Sequence, residues 1–274
     1  MLDRADQQEN SAQGDVRKVA FRGAGFSPKT SRTTALLSLA SVIALWQLAG
    51  SLSLVNPIFL PTPLAIARAT VQLALSGALW QHLAYSLLRI GPGWLLGSLC
   101  GIIVGFAIGL STLARSVGIT FISALFPIPK IALLPLLILW LGIGEEPKIA
   151  TIALGVFFST AISVYSGVDA VPRNLIRMAQ SFNVPFFAIV RRVIWPGALP
   201  SILAGFRITA SVALLLVVSA EMIGAEYGIG AFVLQAGNLM QTDQLLAGVV
   251  ILSLFGLVVG WLINRLEARL LHWR

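Results

Sequence analysis

Six stretches of the chain are long and apolar enough to cross a lipid bilayer as helices. The hydrocarbon core of a bilayer is about 30 Å thick, and a helix needs about 20 apolar residues to span it. The sequence therefore predicts an all-α integral membrane protein. Its six transmembrane helices are expected at roughly 35–54, 86–110, 116–142, 149–168, 202–224 and 244–263.

The composition excludes an ordinary soluble domain. Of the 274 residues, 57% are hydrophobic and only 11% are charged, whereas a soluble domain carries about 25% charged residues. A globule of this composition would expose large apolar patches to water. The single cysteine, Cys100, excludes a disulfide within the chain, and His82 and His272 stand apart from any catalytic or metal-ligand spacing. No catalytic residue and no metal site is predicted.

The formal charge of +8 would suggest a nucleic-acid partner in a soluble protein. Here the basic residues mark one side of the membrane, since cytoplasmic loops carry an excess of Lys and Arg. Six spans place both termini on the same side, which receives fourteen basic residues, against three (Arg68, Arg89 and Lys148) on the other. We therefore expect cytoplasmic termini and no nucleic-acid partner. The fourteen are six in residues 1–32 and Arg115, Arg173, Arg177, Arg191, Arg192, Arg265, Arg269 and Arg274.

The chain divides into two predicted parts. Residues 1–32 are polar and are expected to form a mobile cytoplasmic tail, and residues 33–274 form the membrane domain. An outer loop at 55–85 contains Thr62-Pro63, a cap followed by a first-turn proline. We expect a short surface helix there that carries Trp80 and His82 toward the interface.

The second span carries a glycine at every fourth position. At 3.6 residues per turn these glycines form one slowly winding groove, which lets another backbone approach closely. The pattern favours a tightly packed core helix, although glycine is common in membrane helices generally. The residues are Gly93, Gly97, Gly101, Gly105 and Gly109.

The predicted cytoplasmic loop at 169–201 contains a short helix. Pro172 can start this helix and Asn183 can end it, and about ten residues are too few for a stable isolated helix. Pro185 can start a second short helix that Pro196 would stop. A marginal helix of this kind is stabilised by docking. Its apolar face is Leu175, Ile176, Ala179 and Phe182, with Arg173, Arg177 and Gln180 beside it.

The same loop resembles the coupling motif of ATP-binding-cassette importer permeases, Glu-Ala-Ala, three residues, Gly, nine residues, then Ile-x-Leu-Pro. Arg177-Met178-Ala179 stand in the Glu-Ala-Ala place, Asn183 in the Gly place and Val193-Ile194-Trp195-Pro196 in the last. The spacing is complete, although Arg replaces Glu and Asn replaces Gly. The coupling residues that the resemblance implies are Arg173, Leu175, Ile176, Arg177, Met178, Ala179, Gln180, Ser181, Phe182, Asn183 and Pro196.

Other stretches resemble one branch of these permeases, which carries nitrate, sulfonates, taurine or bicarbonate and has relatives for pyrimidine precursors. The aliphatic sulfonate and taurine members are the most similar in look. The stretches are 76–83, 134–145, 196–200, Ala220-Glu221 with Gly228-Ile229-Gly230, and Gln241-Thr242-Asp243.

The resemblance implies a type I ABC importer permease (MetI-like) fold in a bacterial inner membrane. It also implies two ATPase subunits, a second permease copy and a periplasmic or extracellular solute-binding protein. The chain contains no Gly-Lys dipeptide and so no phosphate-binding loop of the ATPase kind. ATP and Mg are therefore expected in the partner ATPase, and no cofactor is expected on this chain.

The third span is broken by Pro127, Pro129 and Pro135. Unwound backbone in a membrane is tolerated only beside protein or a water-filled cavity. Lys130 follows the break, and a lysine at membrane depth faces a partner or a pathway. One hypothesis is that Lys130 lends positive potential to an anion pathway, with Pro129, Pro135 and Glu221. The alternative is that Lys130 snorkels to an interface or pairs with a carboxylate.

Four carboxylates lie near the predicted outer surface: Glu145, Glu146, Glu221 and Glu226. They are candidates for gating or for docking of the binding protein, and the alternative is that they are solvated rim charges. Arg89 is placed to pair with one of them. Arg207 is similarly placed to pair near the inner face.

Two other classes of protein are possible on sequence alone. A self-sufficient secondary carrier or channel for a small anion would more often show internal repeats and ionisable residues in its spans. A scaffolding subunit of a membrane enzyme complex would have no use for the coupling spacing. The loop at 172–200 separates the importer permease from both.

Overall fold

The computed structural model describes residues 31–271, and every regular element in that range is helical. Besides the α-helices there is a 3₁₀ turn, Lys130–Leu133, and a π-helical turn, Val190–Ile194. Of the predicted tail, residues 1–30 lie outside the described residues. The helices are α1 (Arg32–Ser51), α2 (Pro63–Leu75), α3 (Ala78–Leu110), α4 (Thr112–Leu125), α5 (Leu134–Leu141), α6 (Glu146–Asp169), α7 (Arg173–Ser181), α8 (Phe186–Ile189), α9 (Trp195–Gly224), α10 (Ile229–Asn238) and α11 (Thr242–Leu270).

Five helical segments within residues 31–271 are long and apolar enough to cross a membrane: α1, α3, α6, α11 and the continuous run Phe186–Gly224. The pair α4 and α5 makes a sixth when it is counted as one span, bent by 86° at the break. The structure thus confirms the predicted all-helical membrane fold and locates the predicted break in the third span.

The chain separates into two units, residues 1–54 and 55–274. The first contains α1. Ser31 is the N-cap of this helix, and its hydroxyl accepts a hydrogen bond from the Thr34 N–H. The side chains of α1 are apolar on all sides, which is typical of a helix in an apolar environment.

In the second unit α6 lies between α3 and α9. One buried cluster joins α6 to α9 through Ile152, Val156, Ala213 and Val217, and Ile90 and Trp94 of α3 pack against it. A second cluster surrounds Val164, Val168, Ala198 and Ile202 near the other end of α6. Helix α6 is therefore the central element of this unit.

The predicted glycine groove is the surface of α3 that contacts α6. A Cβ atom added at Gly97 would lie 2.4 Å from the Ala153 carbonyl oxygen, and one added at Gly105 would lie 2.6 Å from the Val164 Cβ. Any side chain larger than hydrogen would force the two backbones apart. All five glycines of the groove meet α6 in this way.

The short helix after Thr62 is confirmed as α2, and the Thr62 hydroxyl accepts from the Ala65 N–H at 3.2 Å. The predicted placement of Trp80 and His82 on that helix is wrong. Gly77 has a φ of 84° and makes a tight turn, so that α3 already begins at Ala78.

The prediction that Pro196 stops a helix is also wrong. The π-helical turn before Pro196 has an extra residue per turn and accommodates the proline, which lacks a backbone N–H. The chain therefore runs on from α8 into α9 without a break. Helix α10 is a further element that the sequence pattern does not predict.

Candidate functional site

The predicted coupling helix is present as α7, with its ends near the expected residues. Pro172 precedes it in an extended conformation, and Asn183 takes a left-handed conformation with a φ of 55°. The Asn183 N–H donates to the Gln180 carbonyl at 2.9 Å and the Val184 N–H to the Ala179 carbonyl at 3.1 Å. Asn183 thus ends the helix as a left-handed cap.

The apolar residues of α7 point in two directions. Ile176 and Ala179 pack against the buried cluster at the end of α6. Leu175, Met178 and Phe182 are instead 43%, 56% and 75% exposed. We call these three residues the docking face. The apolar face predicted from the sequence is therefore divided between packing within the chain and exposure.

A cleft of about 310 Å³ lies between α7 and the start of α9. Arg173, Arg177 and Gln180 are exposed around α7, whereas the Ser181 hydroxyl turns back to the Met178 carbonyl at 2.8 Å. The arrangement can accept an apolar side chain inside a basic rim. The cleft is lined by Leu175, Met178, Ala179, Arg192, Val193, Pro196 and Gly197.

A second group of polar residues is buried around Arg89 on α3. The Arg89 Nη1 donates to Glu221 of α9 at 2.7 Å, and its Nη2 donates to Glu145 in the α5–α6 loop at 2.9 Å. Lys148 lies 3.4 Å from Glu145, so two positive charges balance two negative ones. We call Ser86, Arg89, Glu145, Lys148 and Glu221 the Arg89 cluster.

The Arg89 cluster also holds the beginning of α10. Three successive backbone N–H groups donate to side chains of other helices: Gly228 to the His82 Nδ1 at 3.1 Å, Ile229 to the Ser86 hydroxyl at 3.0 Å and Gly230 to Glu221 at 2.8 Å. A helix otherwise leaves its first N–H groups without partners. These bonds therefore fix α10 against α3 and α9.

The structure tests one of the alternatives for the four carboxylates, that they are solvated rim charges. Glu221 is buried, so its interpretation as a solvated rim charge is wrong, and the expected pairing of Arg89 with a carboxylate is confirmed. Glu146 and Glu226 are exposed. Hydrogen bonding from Arg89 lowers the pKa of the half-buried Glu145 carboxyl below its ordinary value. A pathway role for Glu221 stays a prediction.

Lys130 lies at the break of the third span, where Pro129 precedes the 3₁₀ turn and Pro135 lies in the first turn of α5. The Lys130 ammonium group donates to three carbonyl oxygens of the break, those of Leu125, Phe126 and Ile128. A pathway role for Pro129, Lys130 and Pro135 stays a prediction.

Two further ion pairs join helix ends. Arg207 of α9 lies 2.6 Å from Glu267 of α11 and also donates to Asn264, which confirms the predicted pairing of Arg207. Arg115 of α4 pairs with Asp169 at the end of α6.

Sequence reasoning missed the roles of His82, Ser86 and Lys148. His82 is a polar capping residue whose ring also lies 5.3 Å from that of Phe232. Its spacing to Ser86 and Arg89, four and then three residues, puts all three on one face of α3. A polar stripe that runs from the predicted outer loop into the start of the second span was the available signal.

Comparison with known proteins places the chain in a family. Residues 97–272 match the model of the binding-protein-dependent transport system inner membrane component. The taurine transport system permease protein TauC of Escherichia coli (strain K12) is 37% identical over 246 residues, 88% of this chain and 90% of that protein. A Bacillus subtilis (strain 168) permease named for aliphatic sulfonates transport, SsuC, is 36% identical over 239 residues, 87% of each chain.

Solved structures share the fold. A chain of the inward-facing MetNI methionine ABC transporter superposes with a TM-score of 0.62 at 22% identity, covering 72% of this chain and 95% of that one. A chain of an amino acid ABC transporter superposes with a TM-score of 0.55 at 16% identity, covering 72% of this chain and 94% of that one. The matched family model, the relatives, the spans and the bend between α4 and α5 lead to one conclusion. This chain belongs to the family of inner-membrane permease components of binding-protein-dependent ABC transporters.

Proposed function

We propose that this chain is the transmembrane subunit of an ATP-driven importer for a small anionic solute of the sulfonate or taurine type. The names of the relatives, a taurine permease and an aliphatic sulfonates permease, support this class of solute. Nitrate, bicarbonate and pyrimidine precursors are the other solutes to test.

The docking face is the observation that carries the proposal. Exposed apolar side chains lie on the nine-residue helix α7, at Leu175 and Met178, and at its C-cap, Phe182. A helix of this length is too short to be stable alone in water. An exposed apolar patch on a positioned element indicates a protein partner. The partner we propose is an ATPase subunit, which binds ATP and Mg and receives α7 in a groove.

The proposed assembly has two copies of this permease, two ATPase subunits and one solute-binding protein. We place both termini and α7 on the cytoplasmic side of a bacterial inner membrane. The excess of basic residues on that side, fourteen against three, supports this orientation. In this assembly the chain itself catalyses no reaction, and ATP hydrolysis takes place in the partner.

Reconstitution in liposomes tests the proposal. The permease is combined with the ATPase and the binding protein encoded beside its gene, and uptake of radiolabelled taurine and ethanesulfonate is measured with and without ATP. We expect uptake only when all three proteins and ATP are present. Uptake by the permease alone would show a secondary carrier or channel, and ATP-dependent uptake of nitrate, bicarbonate or a pyrimidine in place of sulfonates would refute the solute class.

A further inference from the structure

The ammonium group of Lys130 has a complete set of partners inside its own chain. It donates to the carbonyl oxygens of Leu125 at 2.9 Å, Phe126 at 2.8 Å and Ile128 at 2.6 Å. A lysine ammonium has three protons to donate, so each proton has one carbonyl acceptor. These bonds leave no proton of Lys130 directed at a solute in this conformation.

One of these carbonyl groups lacks its helical donor because of a neighbouring proline. In a continuous helix, the Leu125 carbonyl would accept from the N–H of residue 129, which is Pro129 and has none. The backbone offers that carbonyl only a long bond, 3.3 Å, from the Ile128 N–H. Unpaired carbonyls are costly within a membrane, and the last carbonyls of a helix also carry a partial negative charge that favours a cation.

Two aromatic rings hold the ammonium group on the remaining sides. It lies 4.7 Å from the ring centre of Phe158 on α6 and 5.7 Å from that of Phe126. Phe158 is itself buried in a cluster with Ile108, Ile122 and Ala161. The cation–π contacts therefore connect the break between α4 and α5 to the central helix of the unit.

We propose that Lys130 is a positioning residue whose ammonium group replaces the backbone donor missing at Pro129, bonds the neighbouring carbonyls of the break, and so fixes the bend of the third span. Its charge is compensated by the carbonyl dipoles and by Phe158 rather than by a transported anion. This assignment replaces the sequence-based hypothesis that Lys130 attracts the anion. Only the transport readout of its test rests on the proposed function.

A double-mutant cycle on the purified permease tests the missing-donor argument without any transport. We expect Lys130→Met to lower the melting temperature in detergent by about 4 °C or more, because it leaves three carbonyls short of donors. Pro129→Ala restores the backbone N–H that the Leu125 carbonyl lacks, so Lys130→Met should lower the melting temperature less in that background than in the native one. Equal losses in both backgrounds, or no loss in either, would overturn the proposal.

Transport kinetics then separate positioning from contact with the solute. In the reconstituted transporter we expect Lys130→Met to lower the maximal uptake rate at least tenfold, with the half-saturating solute concentration changed less than twofold. A tenfold rise in that concentration at an unchanged maximal rate would overturn the proposal and assign Lys130 to solute binding. If the native assembly transports nothing, the proposed function fails while the melting cycle still decides the role of Lys130.

Discussion

The Arg89 cluster and the docking face differ in the burial and in the pairing of their side chains. In the cluster, Arg89, Lys148 and Glu221 are buried and Glu145 is half-buried, and each charge has a partner of opposite sign within the chain. On the docking face, apolar groups are exposed, and nothing within residues 31–271 covers them. The charges of the cluster are paired within the single subunit, whereas the docking face would be covered by the ATPase that we propose as its partner. The first should therefore control stability and the second should control assembly.

The largest expected effect is on stability, from removing the central cation of the cluster. Arg89→Met leaves the buried Glu221 without its ion partner and leaves Glu145 with Lys148 alone, and breaking a buried ion pair in this way costs about 3–5 kcal/mol. Melting in detergent would measure the loss. Arg68→Met is the matched control, because Arg68 is the exposed arginine of the same predicted side. If both variants melt alike, the cluster does not stabilise the subunit.

On the docking face, Phe182→Asp should have the reverse profile. The side chain is 75% exposed, so the melting temperature of the permease should stay unchanged. Association with the ATPase should weaken by about 2 kcal/mol, roughly 30-fold in Kd, as for a central interface aromatic. Binding of the purified ATPase to permease in nanodiscs would measure this.

Asn174→Asp is the control for that experiment, because it adds the same charge to an exposed polar position of α7. Ala179→Asp is a poorer probe, since Ala179 packs against the chain's own core. An ATPase that binds Phe182→Asp as tightly as the native permease would remove α7 from the interface.

A smaller effect is expected from the packing of α3 on α6, which is also complete within the subunit. Gly97→Ala places a Cβ atom against the Ala153 carbonyl, and such overpacking costs about 1–3 kcal/mol. Gly91→Ala on the same helix meets no atom within 4 Å and should instead gain up to about 1 kcal/mol from helix propensity. Equal melting shifts for the two variants would mean that α3 and α6 do not pack closely.

The smallest effect concerns pH. Because Arg89 lowers the pKa of Glu145, Glu145 binds a proton less readily in the folded state than in the unfolded state. Its contribution to stability is present above the unfolded pKa of about 4.3 and is lost as the pH falls through the folded value. The melting temperature of the native subunit should fall more steeply below about pH 4.5 than that of Glu145→Gln. Parallel curves would contradict this.

Features set by local spacing could be predicted from the sequence. The length of the spans follows from the bilayer thickness, the glycine groove follows from the helical period, and the end of α7 follows from the tolerance of Asn183 for a left-handed conformation. Each needs only neighbouring residues. The apolar face of the short helix predicts docking, but the sequence does not show that Ile176 and Ala179 pack within the chain while Phe182 is exposed.

Features that depend on distant parts of the chain could not be predicted with the same certainty. The Arg89 cluster joins residues 89, 145 and 221, which come together only when α3, α6 and α9 pack. Helix α10 is short and follows Gly228. Its stability comes from side chains of other helices, which accept hydrogen bonds from its first N–H groups. Pro196 does not stop a helix, because the π-helical turn before it accommodates the proline.

The helical run Phe186–Gly224 has a mechanical consequence. It contains 39 residues, so at 1.5 Å per residue it is a rod about 58 Å long, nearly twice the thickness of the hydrocarbon core. One end of the rod follows directly on the segment of the docking face, and the other carries Glu221. A displacement that a partner imposes at Phe186 would therefore be transmitted along this one helix to Glu221 of the Arg89 cluster. The π-helical turn interrupts its regular α-helical pattern, and Pro200 within α9 removes a further backbone N–H. These are the places where the run is expected to be least stiff.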